Sequence, residues 1–285
     1  MALVNYTDEY SKLKKIALYK PTRDEIFQGD PTEVMYISRP DPEKVFSEFN
    51  GIVKAFEDLG VEVVILHDDT KKLPNTPNMI YLRDVATIIN RTIIPANMKF
   101  KIRHEEPNKF LKLLAKKDPA YKDAVKPVLK NETMEGADIL LLSHNQICTY
   151  TGYRTSSDAI SAIAKDLHIE AVDIQANINK IPQHLLGGIH ILSENLMTRR
   201  SAYCKTNIGT HKAIDFEENS EVRLKFSLNI VTINLKVVLM PSGCPITQKK
   251  LEENDIICHT VNIDEIHKMG GGLACMTLPL LRSSS

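Results

Sequence analysis

The sequence predicts an α/β fold, and three observations carry that prediction. Short apolar, β-branched runs recur from end to end, segments with helical spacing and charged outer faces lie between several of them, and no low-complexity linker divides the chain. The strand-length runs are, in order, KKIALYKP, VEVVILHDD, VATIINRTIIPAN, ILLLSHNQICTYTG, IEAVDIQA, HILSENLMTRRSAYC, LNIVTINLKVVLMP and IICHTVNID, and another apolar stretch follows Cys275. PEKVFSEFNGIVKAFEDLG reads as a helix stopped by Gly60, and SDAISAIAKDLH as one capped by Ser157 or Asp158. The lysine-rich stretch from Asn108 to Asn131 reads as a helical insertion, either a solvated surface feature or a lid over a site. A single domain over residues 1–285 is therefore expected, with that insertion at 108–131. No sequence identity is visible between the strand–helix units, so periodicity leaves open whether the sheet is continuous or split into repeats.

The 285 residues are 43% hydrophobic, enough for a proper core. Lys plus Arg number 36 and so do Asp plus Glu, which leaves no net field to draw nucleic acid or an acidic membrane surface. Asp8 and Glu9 interrupt the N-terminus before any apolar signal core, and no stretch approaches the roughly 18 apolar residues of a membrane span, so a soluble cytoplasmic protein is expected. Five cysteines form an odd set without a CxxC pair, against a disulfide framework or a zinc ribbon. No HxxH, phosphate loop or GxGxxG suggests a metal or an organic cofactor, and none is expected.

The chemistry concentrates in a few places. GGGLACMTLPLL places Cys275 after Gly270, Gly271 and Gly272, where backbone must turn sharply or approach a neighbour closely. Taken alone, a cysteine among apolar residues is more often a packing residue. A nucleophilic thiol needs a proton-transfer partner, and of nine histidines His190 stands out because two glycines bring it to the start of a strand. His184 and the others sit in ordinary turn or helix contexts. Asp84 follows Arg83 ahead of an apolar strand, and Glu135 and Asp138 flank a small turn before another. Acids set against strands this apolar are costly unless paired or used, although turn chemistry and ion pairing account for each motif equally well.

In chain order these pieces resemble the guanidino-group-modifying superfamily of arginine deiminases, dimethylargininases and amidinotransferases. The resemblance rests on RD at Arg83–Asp84, EGAD at Glu135 to Asp138, TGYRTS at Thr151 to Ser156, GGIH at Gly187 to His190 and GGGLACMT at Gly270 to Thr277. It implies a pentein fold, a five-bladed pseudo-symmetric α/β propeller of ββαβ units with a central active site. It also implies roles: Cys275 as nucleophile on the guanidino carbon, His190 as proton donor and later base, Glu135 as the residue orienting His190, and Asp84 as the clamp on the guanidinium. Arg154 and Arg103 would bind the substrate's α-carboxylate, with Asp138 as a further substrate contact, and a homodimer is the implied assembly.

The expected activity is hydrolysis of arginine or an N-substituted arginine to citrulline plus ammonia or an alkylamine, through a covalent thiouronium. Amidino transfer to an amine acceptor and non-catalytic guanidine binding are the alternatives. Two departures from the family pattern bear on specificity. Where arginine deiminases and amidinotransferases carry an aspartate two positions after the histidine, this sequence has Leu192, which would put an apolar wall beside the guanidinium unless Ser193 or Glu194 takes the role; dimethylargininases also lack the aspartate there. Ala137 replaces the second glycine of the ExGD turn, a milder change.

Overall fold

The computed structural model describes residues 3–70, 72–129, 131–174, 184–204 and 207–283. Strand β1 (Leu13–Tyr19) leads to helix α1 (Pro42–Asp58), whose first turn is capped by the Asp41 side chain and begins with Pro42. Val45, Phe49, Ile52 and Phe56 form its buried stripe, and Gly60 at φ +74° ends it where a side chain would be strained. The chain returns through β2 (Glu62–Leu66), parallel to β1.

A short helix α2 (Leu82–Val85) opens the antiparallel hairpin β3 (Ala86–Ile89) and β4 (Thr92–Pro95), which is followed by α3 (Glu106–Lys117). Next come β5 (Ile139–Ser143), β6 (Gln146–Thr149), α4 (Ser157–Leu167) and β7 (Glu170–Asp173). The cap of α4 is Ser156, whose side chain accepts from Ala159 N at 3.1 Å, one residue ahead of Ser157 and two ahead of Asp158, the expected caps.

Strands β8 (Ile189–Ser193), β9 (Leu196–Arg200) and β10 (Lys212–Phe216) make one sheet. After α5 (Ser220–Leu224), β11 (Val231–Asn234), β12 (Val237–Pro241), α6 (Pro245–Glu252) and β13 (Ile257–Val261) make another. Helices α7 (Asp264–His267) and α8 (Leu273–Met276) precede β14 (Leu278–Arg282), which pairs antiparallel with β1.

The result is five small sheets rather than one continuous one. Three of them share one plan: an antiparallel hairpin, then a third strand parallel to the hairpin's second. The sheet β14–β1–β2 has the same plan assembled from the two chain ends. In the β3–β4 sheet the third strand is reduced to a single parallel bridge, Ile93 with Val125.

That bridge changes the reading of 108–131. Helix α3 occupies the place of a crossover helix, with Phe110, Leu113 and Leu114 buried in the core, and Tyr121 beyond it buried as well. The stretch thus packs into the core through one face, and none of its described residues lines the cavity that holds Cys275. No helix among the described residues is long and apolar enough to cross a membrane.

Candidate active site

Each hairpin's leading strand is entered through a tight turn, and those turns carry the polar residues. Asp84 lies in α2 before β3, Glu135 opens the Gly136–Asp138 turn before β5, His184 opens the Leu185–Gly187 turn before β8, Asn229 precedes β11, and Cys275 lies in α8 before β14. Helix α2 packs against α8 and against the Gly136–Asp138 turn, which packs against the Leu185–Gly187 turn. Asp84, His184, Asn229 and Cys275 thereby line one cavity of about 270 Å³, with Glu135 just behind it. Gly136 permits the close packing: a Cβ there would lie 2.3 Å from the Ala86 carbonyl oxygen and 2.5 Å from that of Arg83.

The histidine at the cavity is His184, and the assignment of His190 is corrected. His184 Nε2 lies 2.7 Å from Glu135 Oε2, and Nδ1 lies 3.5 Å from Asp84 Oδ1. Burial alone would lower its pKa, but the charge of Asp84 and the hydrogen bond to Glu135 outweigh burial and raise it to about 9, so the ring is an imidazolium at neutral pH. His190, in β8, faces a separate small cavity with Glu9, Arg83 and Arg282. Burial, reinforced by Arg83, pushes it down to about 3, which leaves it neutral and unable to serve as an acid near neutrality. The Arg83–Asp84 pair divides accordingly, with Arg83 bound to Glu9 at 2.6 Å and Asp84 turned to the cavity that holds Cys275.

The buried end of that cavity is a balanced charge cluster. Arg103 holds Glu106 through Nε (2.9 and 3.1 Å) and Asp84 Oδ2 through a terminal nitrogen (2.6 Å). Arg154 holds Glu135 at 2.9 and 3.2 Å, with its guanidinium 4.4 Å from the centre of the Phe100 ring. Burial raises Glu135's pKa, but His184, Arg103 and Arg154 together bring it below the usual glutamate range. Glu106 goes the other way: burial, only partly offset by Arg103, raises it to about 7. The second Asp84 oxygen, Oδ1, is buried and receives no hydrogen bond among the described residues. Asp84, Glu135 and His184 bring potential ligand atoms within 4.8 Å of one another, so they could grip a metal ion, although Arg103 and Arg154 already neutralise both carboxylates.

Three expected substrate contacts have other partners. Arg154 is buried behind Glu135 and does not line the cavity; Arg103 lines it, but its charge is paired with Glu106 and Asp84, although its Nη2 makes no hydrogen bond among the described residues. Asp138 is also out of the cavity, accepting from Thr155 Oγ1 at 2.7 Å and from Leu185 N at 3.0 Å, so it pins the backbone directly after His184. Leu192 packs in a separate core cluster, and the residue two after His184, Leu186, is also a buried leucine. The cavity's apolar walls are instead Met35, Tyr81, Phe226 and Met269.

Cys275 is partly exposed at the cavity. Burial, followed by the charge of Asp84, pushes its thiol up to about 11. The glycines before it serve close approach: Gly270 adopts φ +99°, and Gly271 donates its N–H to Tyr81 Oη at 2.9 Å, so close that a Cβ would lie 2.4 Å from the Tyr81 ring. At the open end stand two arginines that sequence reasoning did not single out. Arg200 is paired with Glu218, one contact being 2.7 Å, whereas Arg223 in α5 is exposed and its guanidinium has no partner among the described residues.

Residues 37–198, more than half of the chain, match the sequence model of the family described as N,N dimethylarginine dimethylhydrolase, eukaryotic. The chain belongs to this dimethylarginine dimethylhydrolase family. It thereby falls within the guanidino-group-modifying superfamily. Among relatives, the chain is 21% identical over 246 residues to the N(G),N(G)-dimethylarginine dimethylaminohydrolase of Pseudomonas aeruginosa, with 85% of this chain and 91% of that one covered. It is 26% identical over 252 residues to the arginine deiminase of Borrelia recurrentis, covering 72% of this chain but only 61% of that protein's length. The fold is also that of an amidinotransferase from Microseira wollei, with a TM-score of 0.79 at 15% identity and coverage of 99% and 98%.

Proposed function

We propose that this chain is a cysteine-dependent hydrolase of a small guanidino compound, arginine or an N-substituted arginine, yielding citrulline plus ammonia or an alkylamine. The observation that carries the proposal is the unsatisfied oxygen of buried Asp84, which faces the same cavity as Cys275 and the His184 imidazolium. A guanidinium donates N–H bonds in a plane and carries the charge that such an oxygen lacks. Placed there it also offsets the Asp84 charge that disfavours the thiolate. The five small sheets are read as the five units of one pseudo-symmetric propeller around this site.

The Cys275 thiolate attacks the guanidino carbon, and the C–N bond to the departing nitrogen breaks as that nitrogen takes a proton from His184. A thiouronium on sulfur remains. Water then attacks the same carbon, neutral His184 accepts one of its protons, and the carbon–sulfur bond breaks to return the thiolate as the remaining hydroxyl proton passes to solvent and leaves the carbonyl of the product. Glu135 anchors His184 Nε2, which leaves Nδ1 for the transfer, and Asp138 fixes the turn behind it. The substrate's carboxylate is assigned to Arg223 at the open end rather than to Arg103 or Arg154, whose charges are neutralised inside.

The test is incubation with arginine, N-methylated arginines and agmatine, with and without an amine acceptor, and product identification by mass spectrometry. Cys275→Ala and His184→Gln should abolish turnover, whereas folded His190→Gln should retain it. Products formed only with the acceptor would mean amidino transfer, and no turnover of any guanidine would leave a binding role.

A further inference from the structure

Asn229 touches Cys275 twice. Its Oδ1 accepts the Cys275 backbone N–H at 3.1 Å, and its Nδ2 lies 3.2 Å from Cys275 Sγ. The first contact fixes the amide's orientation, because only the oxygen can accept from a backbone N–H, so the nitrogen is the atom that faces sulfur. A primary amide nitrogen only donates, so the sulfur must accept. A donor aimed at sulfur holds the anion more strongly than the neutral thiol.

The surroundings make this contact a built one. Asn229 is buried, its own N–H donates to Phe226 O at 2.7 Å, and Phe226 adopts φ +49°, a conformation costly for a bulky residue. A Cβ on Gly272 would lie 2.5 Å from Asn229 Oδ1, so that glycine is what lets the cysteine turn close over the amide. The charged and titratable groups facing Cys275 are Asp84, Arg103, His184 and Tyr81. Asp84 opposes charge on the sulfur and Arg103 is already shared among carboxylates; the neutral donors at the sulfur are the Gly272 backbone N–H and the Asn229 amide, and Asn229 is the side chain among them.

We propose that Asn229 is a thiolate-stabilising residue of this site: its amide nitrogen holds the sulfur's charge before attack and again when the sulfur departs, while its amide oxygen sets the position from which the sulfur attacks. The proposal rests on Cys275 as the nucleophile of the reading above, but its test needs no substrate.

The experiment measures the rate of iodoacetamide alkylation of Cys275 against pH, resolved from the other cysteines by peptide mass spectrometry, in the full chain and in Asn229→Leu. Loss of a hydrogen bond to a charged group should move the midpoint up by about one to two pH units, which slows alkylation about ten- to a hundredfold at a fixed pH below it. A purely structural role predicts the opposite sign, because loosening the turn lets water reach a thiol that burial has pushed up. An unmoved or lowered midpoint in Asn229→Leu overturns the proposal. Asn229→Ala carries the same criterion should the leucine variant not fold. A wild-type chain that turns over no guanidine, yet shows the upward shift in the variant, would defeat the hydrolase reading and leave the role of Asn229 standing.

Discussion

Replacing Glu135 by glutamine separates the charge of this residue from its shape. The carboxylate is fully buried and binds His184, Arg154 and the Lys99 N–H at 2.7, 2.9 and 3.1 Å, with Arg103 at 3.9 Å. Removing one partner from a buried ion pair costs about 3–5 kcal/mol, since Arg154 keeps its charge and loses the group that neutralised it. In a chain this long each kcal/mol lowers Tm by about 2 °C, so Glu135→Gln should melt about 6–10 °C lower near pH 7. His184 also loses a charged hydrogen bond worth about 1.5–3 kcal/mol, which lowers its pKa by about one to two units. From about 9 in the wild type, the imidazolium would then deprotonate near neutrality.

The pH dependence has a definite sign. Glu135 is depressed in the folded protein, so its stabilisation is present above the unfolded glutamate pKa and is lost as pH falls through the folded value. The Tm gap between wild type and variant should therefore narrow in acid. Thermal unfolding across pH and NMR titration of His184 are the assays. A variant with wild-type Tm and an unmoved His184 would refute the claim that Glu135 balances the cluster.

Three further predictions follow from the same geometry. Arg223→Gln should raise KM for arginine about five- to thirtyfold, the worth of about 1–2 kcal/mol, and leave agmatine, which lacks the carboxylate, unaffected; equal effects on both would remove Arg223 from substrate binding. In the proposed mechanism the reactive pair is thiolate plus imidazolium, and with the thiol at about 11 and His184 at about 9, kcat/KM should climb from neutral pH to about 9 and fall above about 11. A flat profile between pH 6 and 8 would contradict this ordering. Gly136→Ala should destabilise by at least about 1–3 kcal/mol because its methyl meets two backbone carbonyls, whereas Gly51→Ala, on the open face of α1, should stabilise by up to about 1 kcal/mol; equal melting temperatures would show that the Glu135 turn is looser than described.

The strands were legible because β-branched runs punctuated by glycine and helical segments have few other uses, and each such run contains a strand. Lys212–Phe216 was not, because a five-residue strand with charges at two positions pairs only on its edge and carries little apolar signal. Cys275, Asp84 and Glu135 were legible as unusual residues at strand entrances. His184 was missed because the two glycines between it and His190 drew attention forward into the strand.

A signal for His184 does exist. Asp84, Glu135, His184, Asn229 and Cys275 recur at intervals of roughly fifty residues, the repeat length of the sheet plan, and His190 lies inside a strand and off that interval. Asn229 had no titratable group to mark it, and the interval alone singles it out.

The arginines show what residue type cannot disclose. Arg103 and Arg154 have the charge a carboxylate ligand would want, and their motif suggests that use, yet buried Asp84, Glu106 and Glu135 require counter-charges of their own. An isolated ion inside a protein costs several kcal/mol, so internal pairing takes precedence over waiting for a ligand. Among the described residues lining this cavity, what pairing leaves over is one Asp84 oxygen and the Arg103 Nη2 at the buried end and the exposed Arg223 guanidinium at the open end. A molecule that is cationic at one tip, apolar along its middle and anionic at the other complements that remainder, and Met35, Tyr81, Phe226 and Met269 line the stretch between. On the proposed reading, specificity follows from the groups left without a hydrogen bond or partner rather than from the internal ion pairs, and changing one of those pairs, as in Glu135→Gln, should disturb folding and His184 before it disturbs the choice of substrate.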